Sequence, residues 1–317
     1  MGHRTAGRHL PTLLGALGVA FWASETTLIT YTTRVPPLQT VALAFMFAAL
    51  LSPPMWWLSK ADPFAAFRQP PRVWLLAVGA LGGYHACIYY ATQKAPPAAA
   101  ALLQGTTPLM IVLGSALLPG ERLRWWHLAG AGLGLCGVLM LIEGGSEAAP
   151  AGTDAAFYLA LVGVAAGLWG LYSVLSRGLP EVPTSALGAF YAAAAAATGL
   201  LHLLLEDWVR PTGAEWAALA ALGIVPMGLA IYLWDHGVKR GDIQALGAIS
   251  YVEPFVGALL VALVAGGVLG WDLLWSGILV LAGAVLGSAG LWRPASDATP
   301  GPGPDPIGAL PLADAGG

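Results

Sequence analysis

The chain has 317 residues, of which 57% are hydrophobic and only 10% are charged. A typical soluble domain carries about 25% charged residues, so the 14 basic and 17 acidic side chains of this chain are too few to cover a water-exposed surface. This composition, with a mean hydropathy of +0.71, excludes a soluble enzyme, a nucleic-acid-binding protein and a disordered protein. It predicts a bundle of apolar helices, and the net charge of -3 indicates no particular partner.

About ten apolar segments follow one another along the chain, each near the roughly 20 residues that cross a lipid bilayer. Lipid cannot satisfy an open backbone, so we expect helices and an all-α integral membrane protein. Two segments contain an internal proline, Pro108 or Pro254, and are expected to be kinked there. In chain order the segments are 11–31, 37–58, 72–91, 97–117, 124–142, 155–175, 184–204, 215–235, 243–264 and 271–291.

Polar stretches divide the chain into two halves. Residues 143–154 are the most polar internal stretch, and we expect them to link a first five-helix repeat, 1–142, to a second one, 155–293. Residues 294–317 are rich in Pro, Gly and Asp, cannot bury a core and are expected to be a disordered tail. No secretory signal peptide is evident at the N-terminus.

The distribution of Lys and Arg predicts the orientation in the membrane. With ten spans and a cytoplasmic N-terminus, Arg34, Lys94 and Arg210 face the outer side, and the other eleven of the 14 basic residues face the cytoplasm. This partition follows the positive-inside rule. It predicts a multi-pass protein of the cell inner membrane with both termini cytoplasmic and a periplasmic linker.

A weak internal repeat relates the two halves. A shift of 146 residues places Pro108 on Pro254. Because each repeat holds five spans, an odd number, the second repeat must enter the membrane in the opposite direction, which gives a 5+5 inverted arrangement. Inverted repeats are typical of secondary transporters whose binding site lies near the membrane midplane. Further matches are Gly82 with Gly228, Gly137 with Gly283 and, at a shift of 147, Trp22 with Trp169.

These features resemble the EamA branch of the drug/metabolite transporter superfamily over residues 11–292. The motifs that carry the resemblance are Gly18-x-x-x-Trp22, Pro108 followed by Gly120-Glu121-Arg122, Trp169-Gly170, Glu253-Pro254 and the run from Gly83 to Tyr90. Within that branch the chain is most similar to bacterial exporters of aromatic amino acids. The resemblance implies export of aromatic and other neutral amino acids and related metabolites. One departure is Gly267, which stands where the repeat would place a partner for Glu121.

Aromatic and polar side chains inside the apolar segments are the candidates for substrate binding, because placing them in a membrane costs energy. Three of them and the neighbouring Ile88 lie on one helical stripe of the third segment, and rings with polar edges suit an aromatic ligand; alternatively, the tyrosines belong to an interfacial belt. The four are Tyr84, His85, Ile88 and Tyr89. The full candidate set for substrate binding is Trp22, Tyr84, His85, Ile88, Trp169, Tyr172, Tyr232 and Tyr251.

The tryptophans fall into two groups. Trp22 and Trp169 lie well inside their segments, so they either line a cavity or fill a helix crossing. Those near segment ends are expected to form the interfacial belt. They are Trp56, Trp57, Trp74, Trp125, Trp126, Trp271 and Trp275.

Intramembrane carboxyls and prolines are the candidates for coupling or gating, namely Glu25, Glu253, Pro108 and Pro254. Glu253 either carries a proton whose movement is coupled to transport or hydrogen-bonds carbonyl groups freed by Pro254. Glu25 meets either an amino group or water. The charged stretch 235–240 forms either a solvated face or an inner gate.

Two glycine motifs, Gly130-x-x-x-Gly134 and Gly283-x-x-x-Gly287, predict close contact between helices. We expect this packing to be within the chain. The alternative is a dimer face, so a homo-oligomer stays open.

Several enzyme and metal signatures are missing from the sequence. It has no phosphate-binding loop, no H-E-x-x-H and no G-x-S-x-G motif. Cys87 and Cys136 form neither a disulfide framework nor a metal motif, so no cofactor or metal is expected. The expected partners are a small-molecule substrate and membrane lipid, without nucleic acid or nucleotide.

Rival functions remain open at this point. One is transport of another solute, such as a sugar phosphate, a purine or a cationic drug. A sugar phosphate would require convergent basic side chains inside the spans, whereas Lys94 and Arg240 lie at span ends. A lipid flippase or membrane enzyme is a further alternative, with His85 and Glu253 as the only candidates for catalysis at depth.

Overall fold

The computed structural model describes residues 7–92, 94, 97–143, 154–265 and 271–292. Every regular element within these ranges is helical. Most of the predicted linker and all of the predicted C-terminal tail lie outside the described residues, as does Gly267.

Consecutive helices joined by short turns build both halves of the chain. The first half contains α1 (His9–Ile29), α2 (Pro37–Leu50), α3 (Ser52–Ser59), α4 (Pro71–Val78), α5 (Tyr84–Thr92), α6 (Pro97–Ser115) and α7 (Trp125–Glu143). The second half contains α8 (Ala155–Arg177), α9 (Leu187–Leu205), α10 (Gly213–Ile224), α11 (Ala230–Arg240), α12 (Ile243–Ile249), α13 (Val252–Ala265), α14 (Trp271–Gly287) and α15 (Ala289–Trp292).

Six helical stretches among the described residues are long and apolar enough to cross a membrane. They agree with the first, second, third, sixth, seventh and eighth predicted segments. Two shorter apolar helices, Trp125–Met140 and Leu274–Gly287, agree with the fifth and the tenth. The six are His9–Thr32, Pro37–Ser59, Pro71–Ala91, Ala155–Arg177, Thr184–Leu205 and Gly213–Arg240.

Large apolar side chains cover the outer surface of the bundle. Leu75 is 78% exposed and Leu203 is 73% exposed, and both lie within membrane-length helices, Leu75 near the start of one and Leu203 in the last turn of another. Contiguous apolar surface of this kind is unfavourable in water and favourable in lipid. The helix lengths and the surface therefore both indicate a multi-pass membrane protein.

The two predicted proline kinks have different outcomes. Helix α6 continues through Pro108 without interruption. In the second half the chain breaks at Ser250 and Tyr251, between α12 and α13, and Pro254 lies in the first turn of α13. A proline ring clashes with the carbonyl four residues earlier, which here belongs to Ser250. Glu253 therefore lies at the start of a helix and not in the middle of a continuous one.

A wide turn of π-helix interrupts the helix in each half. One occupies Gly79–Gly83, between α4 and α5, and the other occupies Val225–Leu229, between α10 and α11. The two turns start 146 residues apart, which is the offset of the sequence repeat. The internal repeat is therefore visible in the backbone as well as in the residues.

The π-turns bring the halves into close and reciprocal contact. A Cβ atom placed on Gly82 would lie 3.6 Å from the Cα of Ala194, in α9. A Cβ atom placed on Gly228 would lie 3.6 Å from the Cα of Ala48, in α2. Ala48 and Ala194 are also 146 residues apart, so each half offers the same surface to the other.

The glycine motifs pack α7 against α14. A Cβ atom on Gly130 would lie 2.6 Å from the carbonyl oxygen of Gly283 and 2.5 Å from the backbone nitrogen of Gly287. Such a separation leaves no room for a side chain. The predicted packing of these motifs within the chain is confirmed.

Charged residues mark the two ends of the bundle. At the first end, called end A, the Glu121 carboxylate pairs with Arg8 at 3.1 Å and with Arg177 at 2.6 Å. At the other end, called end B, the Glu206 carboxylate accepts hydrogen bonds from the backbone of Leu38 and Gln39 at 3.1 and 3.2 Å. Helix α1 runs from end A to end B, and its 21 residues span roughly 30 Å.

The turn that holds Glu121 at end A depends on Gly120. This glycine has φ +81°, a backbone conformation that favours glycine. Burial raises the pKa of Glu121, but the hydrogen bond from Arg177 and the charges of Arg8 and Arg177 lower it more. The net pKa lies below the ordinary value, so the carboxylate is charged at neutral pH and clamps α1 to α8.

Candidate functional site

Two tryptophans from equivalent positions of the two halves meet inside the bundle. The ring centroids of Trp22, on α1, and Trp169, on α8, are 5.3 Å apart with the rings edge to face. They are 9% and 7% exposed. Both rings therefore face the interior between the halves and not the lipid.

The rings of the predicted stripe on α5 surround Trp169. Tyr84 lies 5.3 Å and His85 lies 6.4 Å from it, measured between ring centroids. Tyr172, one turn further along α8, is 5.5 Å away. The interior thus presents ring faces from both halves at one level of the bundle.

A second line of rings continues from His85 across the bundle. Phe45, on α2, lies 5.0 Å from His85 and stacks on Tyr191, on α9, at 5.9 Å. Tyr191 in turn lies 5.5 Å from Tyr232, on α11. We call the connected set the aromatic cluster, and its members are Trp22, Phe45, Tyr84, His85, Tyr89, Trp169, Tyr172, Tyr191, Tyr232 and Trp234.

Two side chains of the aromatic cluster hydrogen-bond to carbonyl groups of the π-turns. The His85 Nδ1 atom lies 2.7 Å from the carbonyl oxygen of Leu81, in the first turn. The Tyr191 hydroxyl donates to the carbonyl of Gly228, in the second turn, at 3.0 Å. With its Nδ1 proton donated to Leu81, the neutral imidazole keeps an acceptor at Nε2.

Other polar atoms lie between the rings. Gln104 Nε2 donates to the Tyr84 hydroxyl at 3.1 Å, and Trp234 Nε1 donates to Ser173 Oγ at 3.1 Å. Tyr232 donates to Ser52 Oγ at 3.1 Å. Ring faces with a few fixed polar groups can hold a planar apolar side chain and its polar ends together.

Glu25 and Tyr89 form a hydrogen bond near end B. The Tyr89 hydroxyl donates to Glu25 Oε1 at 2.5 Å, and Tyr89 is buried. The partner of Glu25 is thus a phenol, where we expected an amino group or water. For Tyr89, the alternative of an interfacial belt is wrong.

Asp235 forms a corresponding set of bonds near end A. Its carboxylate accepts from the Tyr172 hydroxyl at 2.9 Å, from Thr184 Oγ1 at 2.7 Å and from Lys239 Nζ at 2.8 Å. Asp235 is 1% exposed, and the Lys239 side chain is 8% exposed. One of the two predictions for stretch 235–240 was a solvated face. That prediction is wrong for Asp235 and Lys239, because each of these charges is buried against a partner.

An open recess lies beside the aromatic cluster at end A. Tyr172 lines the recess and also belongs to the cluster. The recess combines apolar walls with one carboxylate and one ammonium group. Its other walls include Val73, Leu76, Phe190, Asp235 and Lys239.

Some predicted site residues lie apart from the cluster. Tyr251 is buried against Gly134 in a second apolar core between α6, α7 and α14, so it does not join the other rings. The carbonyl of Pro108 faces Gly247 at the crossing of α6 and α12. Ile88 is buried in the main core.

The two intramembrane carboxyls lie on packed helices. Helix α13, whose first turn contains Glu253 and Pro254, packs along α1. In this contact a Cβ atom on Gly257 would lie 3.1 Å from Thr26 Oγ1. Glu253 is within electrostatic range of Glu25. The structure therefore brings these two carboxyls to the same side of the cluster.

Sequence reasoning missed three cluster members, Phe45, Tyr191 and Trp234. Phe45 and Tyr191 are 146 residues apart, and so are Ile88 and Trp234. Applying the repeat offset to the predicted Ile88 would have identified Trp234, whereas Phe45 and Tyr191 are equivalent only to each other. The same offset relates Tyr89 to Asp235.

A comparison with known protein families finds the same internal repeat in this chain. A sequence model of the EamA-like transporter family matches residues 10–143 and, a second time, residues 156–289. The two matches are offset by 146 residues and together cover most of the chain. Both the sequence repeat and the paired π-turns have this offset.

Individual relatives are transporters. The aromatic amino acid exporter YddG of Ancylobacter novellus is 38% identical over 256 residues, which are 80% of this chain and 88% of that protein. A probable terminal-alkyne amino-acid exporter of Streptantibioticus cattleyicolor is 28% identical over 221 residues, 68% of this chain and 70% of the other. A solved crystal structure with 36% identity superposes with a TM-score of 0.84 and covers 90% of this chain and 99% of its own.

Proposed function

The chain belongs to the EamA-like transporter family, and from this premise we propose that it exports aromatic and other neutral amino acids and related metabolites. It is a multi-pass membrane protein with an all-helical, two-repeat fold. Two similar proteins carry the names of amino-acid exporters. The proposal places this chain in the inner membrane with an amino acid as its small-molecule substrate.

The aromatic cluster is the observation that carries the substrate class. In this cluster the ring centroid of Trp169 lies 5.3 Å from that of Trp22 and 5.3 Å from that of Tyr84. Ring faces bind an aromatic side chain by stacking, and the imidazole and phenol groups can hydrogen-bond polar ends. A sugar phosphate would instead need convergent basic groups, and the cluster supplies none.

Transport by alternating access is the mechanism that we propose. Ten spans in two inverted repeats would form two bundles that rock about the central rings, so that the space between the bundles opens to one side at a time. The reciprocal contacts of Gly82 with Ala194 and of Gly228 with Ala48 support this symmetry. End A, which carries most of the basic residues, would face the cytoplasm.

The recess at end A is the proposed route from the cytoplasm. It combines apolar walls with the Asp235 carboxylate and the Lys239 ammonium group, which can meet the charged ends of an amino acid. Tyr172 connects it to the cluster, so a substrate that enters the recess next meets the ring of Trp169.

Counterflow in proteoliposomes tests the substrate class. Vesicles preloaded with unlabelled phenylalanine should accumulate labelled phenylalanine and tryptophan. Vesicles preloaded with a sugar phosphate or a cationic drug should not accumulate the corresponding label. Counterflow of a sugar phosphate without counterflow of any amino acid would refute the proposal while leaving the family assignment intact.

A further inference from the structure

The hydrogen bond between Glu25 and Tyr89 and the one between Tyr172 and Asp235 occupy equivalent positions in the two repeats. Tyr172 follows Glu25 by 147 residues, the offset that also relates Trp22 to Trp169. Asp235 follows Tyr89 by 146 residues. The acid and the phenol have exchanged places between the repeats, and the bond has been kept at 2.5 and 2.9 Å.

The two bonds lie toward opposite ends of the bundle. Glu25 is four residues from the last residue of α1, at end B, whereas Arg8 at end A precedes the first. Tyr172 is five residues before Arg177, which pairs with Glu121 at end A. At about 1.5 Å per residue, each bond is within roughly two turns of its own end.

Four helices carry these bonds, and they pack as two pairs. Helix α1 packs along α11, where a Cβ atom on Gly18 would lie 2.7 Å from the carbonyl of Ala230 and one on Gly237 would lie 2.8 Å from the Cα of Gly15. Helix α5 packs along α8, and the two pairs share fewer contacts with each other. Each pair therefore combines one helix from each repeat.

Both hydrogen bonds join one pair to the other. Glu25 on α1 bonds Tyr89 on α5 at end B, and Asp235 on α11 bonds Tyr172 on α8 at end A. Separation of the pairs at one end therefore breaks the bond of that end and leaves the other intact. We propose that these two bonds are the gates of the transporter, with Tyr89 and Glu25 closing end B and Tyr172 and Asp235 closing end A.

The gate at end A is the stronger of the two. Asp235 also accepts hydrogen bonds from Thr184 and Lys239, and Lys239 Nζ donates to the carbonyl of Val182 at 2.9 Å. The residue equivalent to Thr184 in the first repeat is Leu38, whose side chain cannot donate. The additional donors favour the state in which end A is closed, so the empty protein opens more readily at end B. This inference rests on the proposed alternating access.

Sided labelling of a single cysteine tests the gates. The reporter is Ile88→Cys, next to Tyr89 in the buried core, in a protein whose Cys87 and Cys136 are replaced by serine. A membrane-impermeant maleimide is added to either face of oriented membrane vesicles. Tyr89→Phe should raise the labelling rate from the end B side about tenfold and lower it from the end A side, because a buried hydrogen bond to a carboxylate is lost. Tyr172→Phe should do the reverse.

Tyr90→Phe is the matched control. It removes a phenol on the same helix that lies 5.2 Å from Lys94 and takes no part in either gate. It should leave labelling from both sides unchanged. Equal effects of Tyr89→Phe and Tyr172→Phe on the same side, or effects no larger than that of Tyr90→Phe, would overturn the proposal.

Two further variants test the gates if Tyr89→Phe or Tyr172→Phe fails to fold, as judged by size-exclusion chromatography. Thr184→Val removes a different donor to Asp235 and should also raise access from end A. Glu25→Leu removes the carboxyl that accepts from Tyr89 and should raise access from end B. An absence of either shift counts against the gate concerned. Labelling needs no substrate, so failed amino-acid counterflow with the expected sided labelling would reject the substrate and keep the gates.

Discussion

The rings of Phe45 and Tyr191 stack with their centroids 5.9 Å apart and an angle of 28° between them. The two residues hold equivalent positions in the two repeats, 146 residues apart. When a residue touches its own equivalent, both lie beside the axis that relates the repeats. The pair therefore marks the place where the axis that relates the two repeats passes through the bundle.

Removal of the Tyr191 hydroxyl should weaken this central contact without disturbing its shape. The hydroxyl donates to the buried carbonyl of Gly228, and Tyr191→Phe removes that hydrogen bond, at a cost of roughly 0.5–1.5 kcal/mol. The melting temperature in detergent should fall. Tyr31→Phe, at an exposed position, is the control and should not change it; an equal melting temperature for both variants would contradict the assigned bond.

The contact between α7 and α14 predicts opposite outcomes for two neighbouring glycines. Gly130→Ala places a methyl group 2.5 Å from the backbone of Gly287 and should destabilise the protein by several kcal/mol. Gly132→Ala meets nothing within 4 Å and should be neutral or stabilising by roughly 0.5–1 kcal/mol. Thermal unfolding of the two variants checks this, and a stable Gly130→Ala protein would show that the helices are further apart.

Loss of a central ring should reduce transport far more than loss of an outward-facing ring. Trp169 contacts Trp22, Tyr84 and Tyr172, so Trp169→Ala should reduce counterflow of labelled tryptophan by more than tenfold, given the energy of such ring contacts. Trp275→Ala, at an outward-facing position, should transport normally. If both variants transport at the wild-type rate, the rings do not bind substrate.

The Glu121 clamp at end A should make stability depend on pH. The pKa of Glu121 is lowered in the folded protein, so its contribution to stability is complete above the ordinary value of 4.5 and is lost as the pH falls below it. Glu121→Gln should therefore lower the melting temperature at pH 7, and the difference from the unmodified protein should shrink toward acid pH. Glu181→Gln, an exposed position, is the control, and a difference that stays constant with pH would argue against the ion pairs.

Glu253 provides the test of proton coupling. It lies at the start of α13, near Glu25, and a proton carried there would give transport a pH dependence. Glu253→Gln cannot bind that proton, so its transport rate should vary less with pH than that of the unmodified protein. The measurement is counterflow across a pH series, with Glu181→Gln as control; superimposable profiles would exclude a coupling role.

The sequence alone predicts the helices well, because length and hydropathy decide which segments enter a membrane. It is less successful at the prolines. Pro108 lies inside a continuous helix, and Pro254 follows a break, a difference that depends on the packing around each helix. Six membrane-length stretches follow the predicted boundaries within a few residues.

The site could be predicted only in part. Trp22, Trp169 and Tyr84 were recognisable because polar rings are unexpected inside apolar segments. Phe45 was not, since a phenylalanine in an apolar segment carries no such signal. The partner of Glu25 depends on which helix lies opposite, and periodicity along one segment does not contain that information.

The wide turns at Gly79–Gly83 and Val225–Leu229 preserve a trace of the protein's history. A π-turn arises when one extra residue enters a helix, and it shifts every later side chain around the axis. Two independent insertions at the same place are far less probable than one. The matching positions indicate that the extra residue preceded the duplication of the repeat, and its loss from the first copy alone would turn Tyr84, His85 and Tyr89 away from their partners.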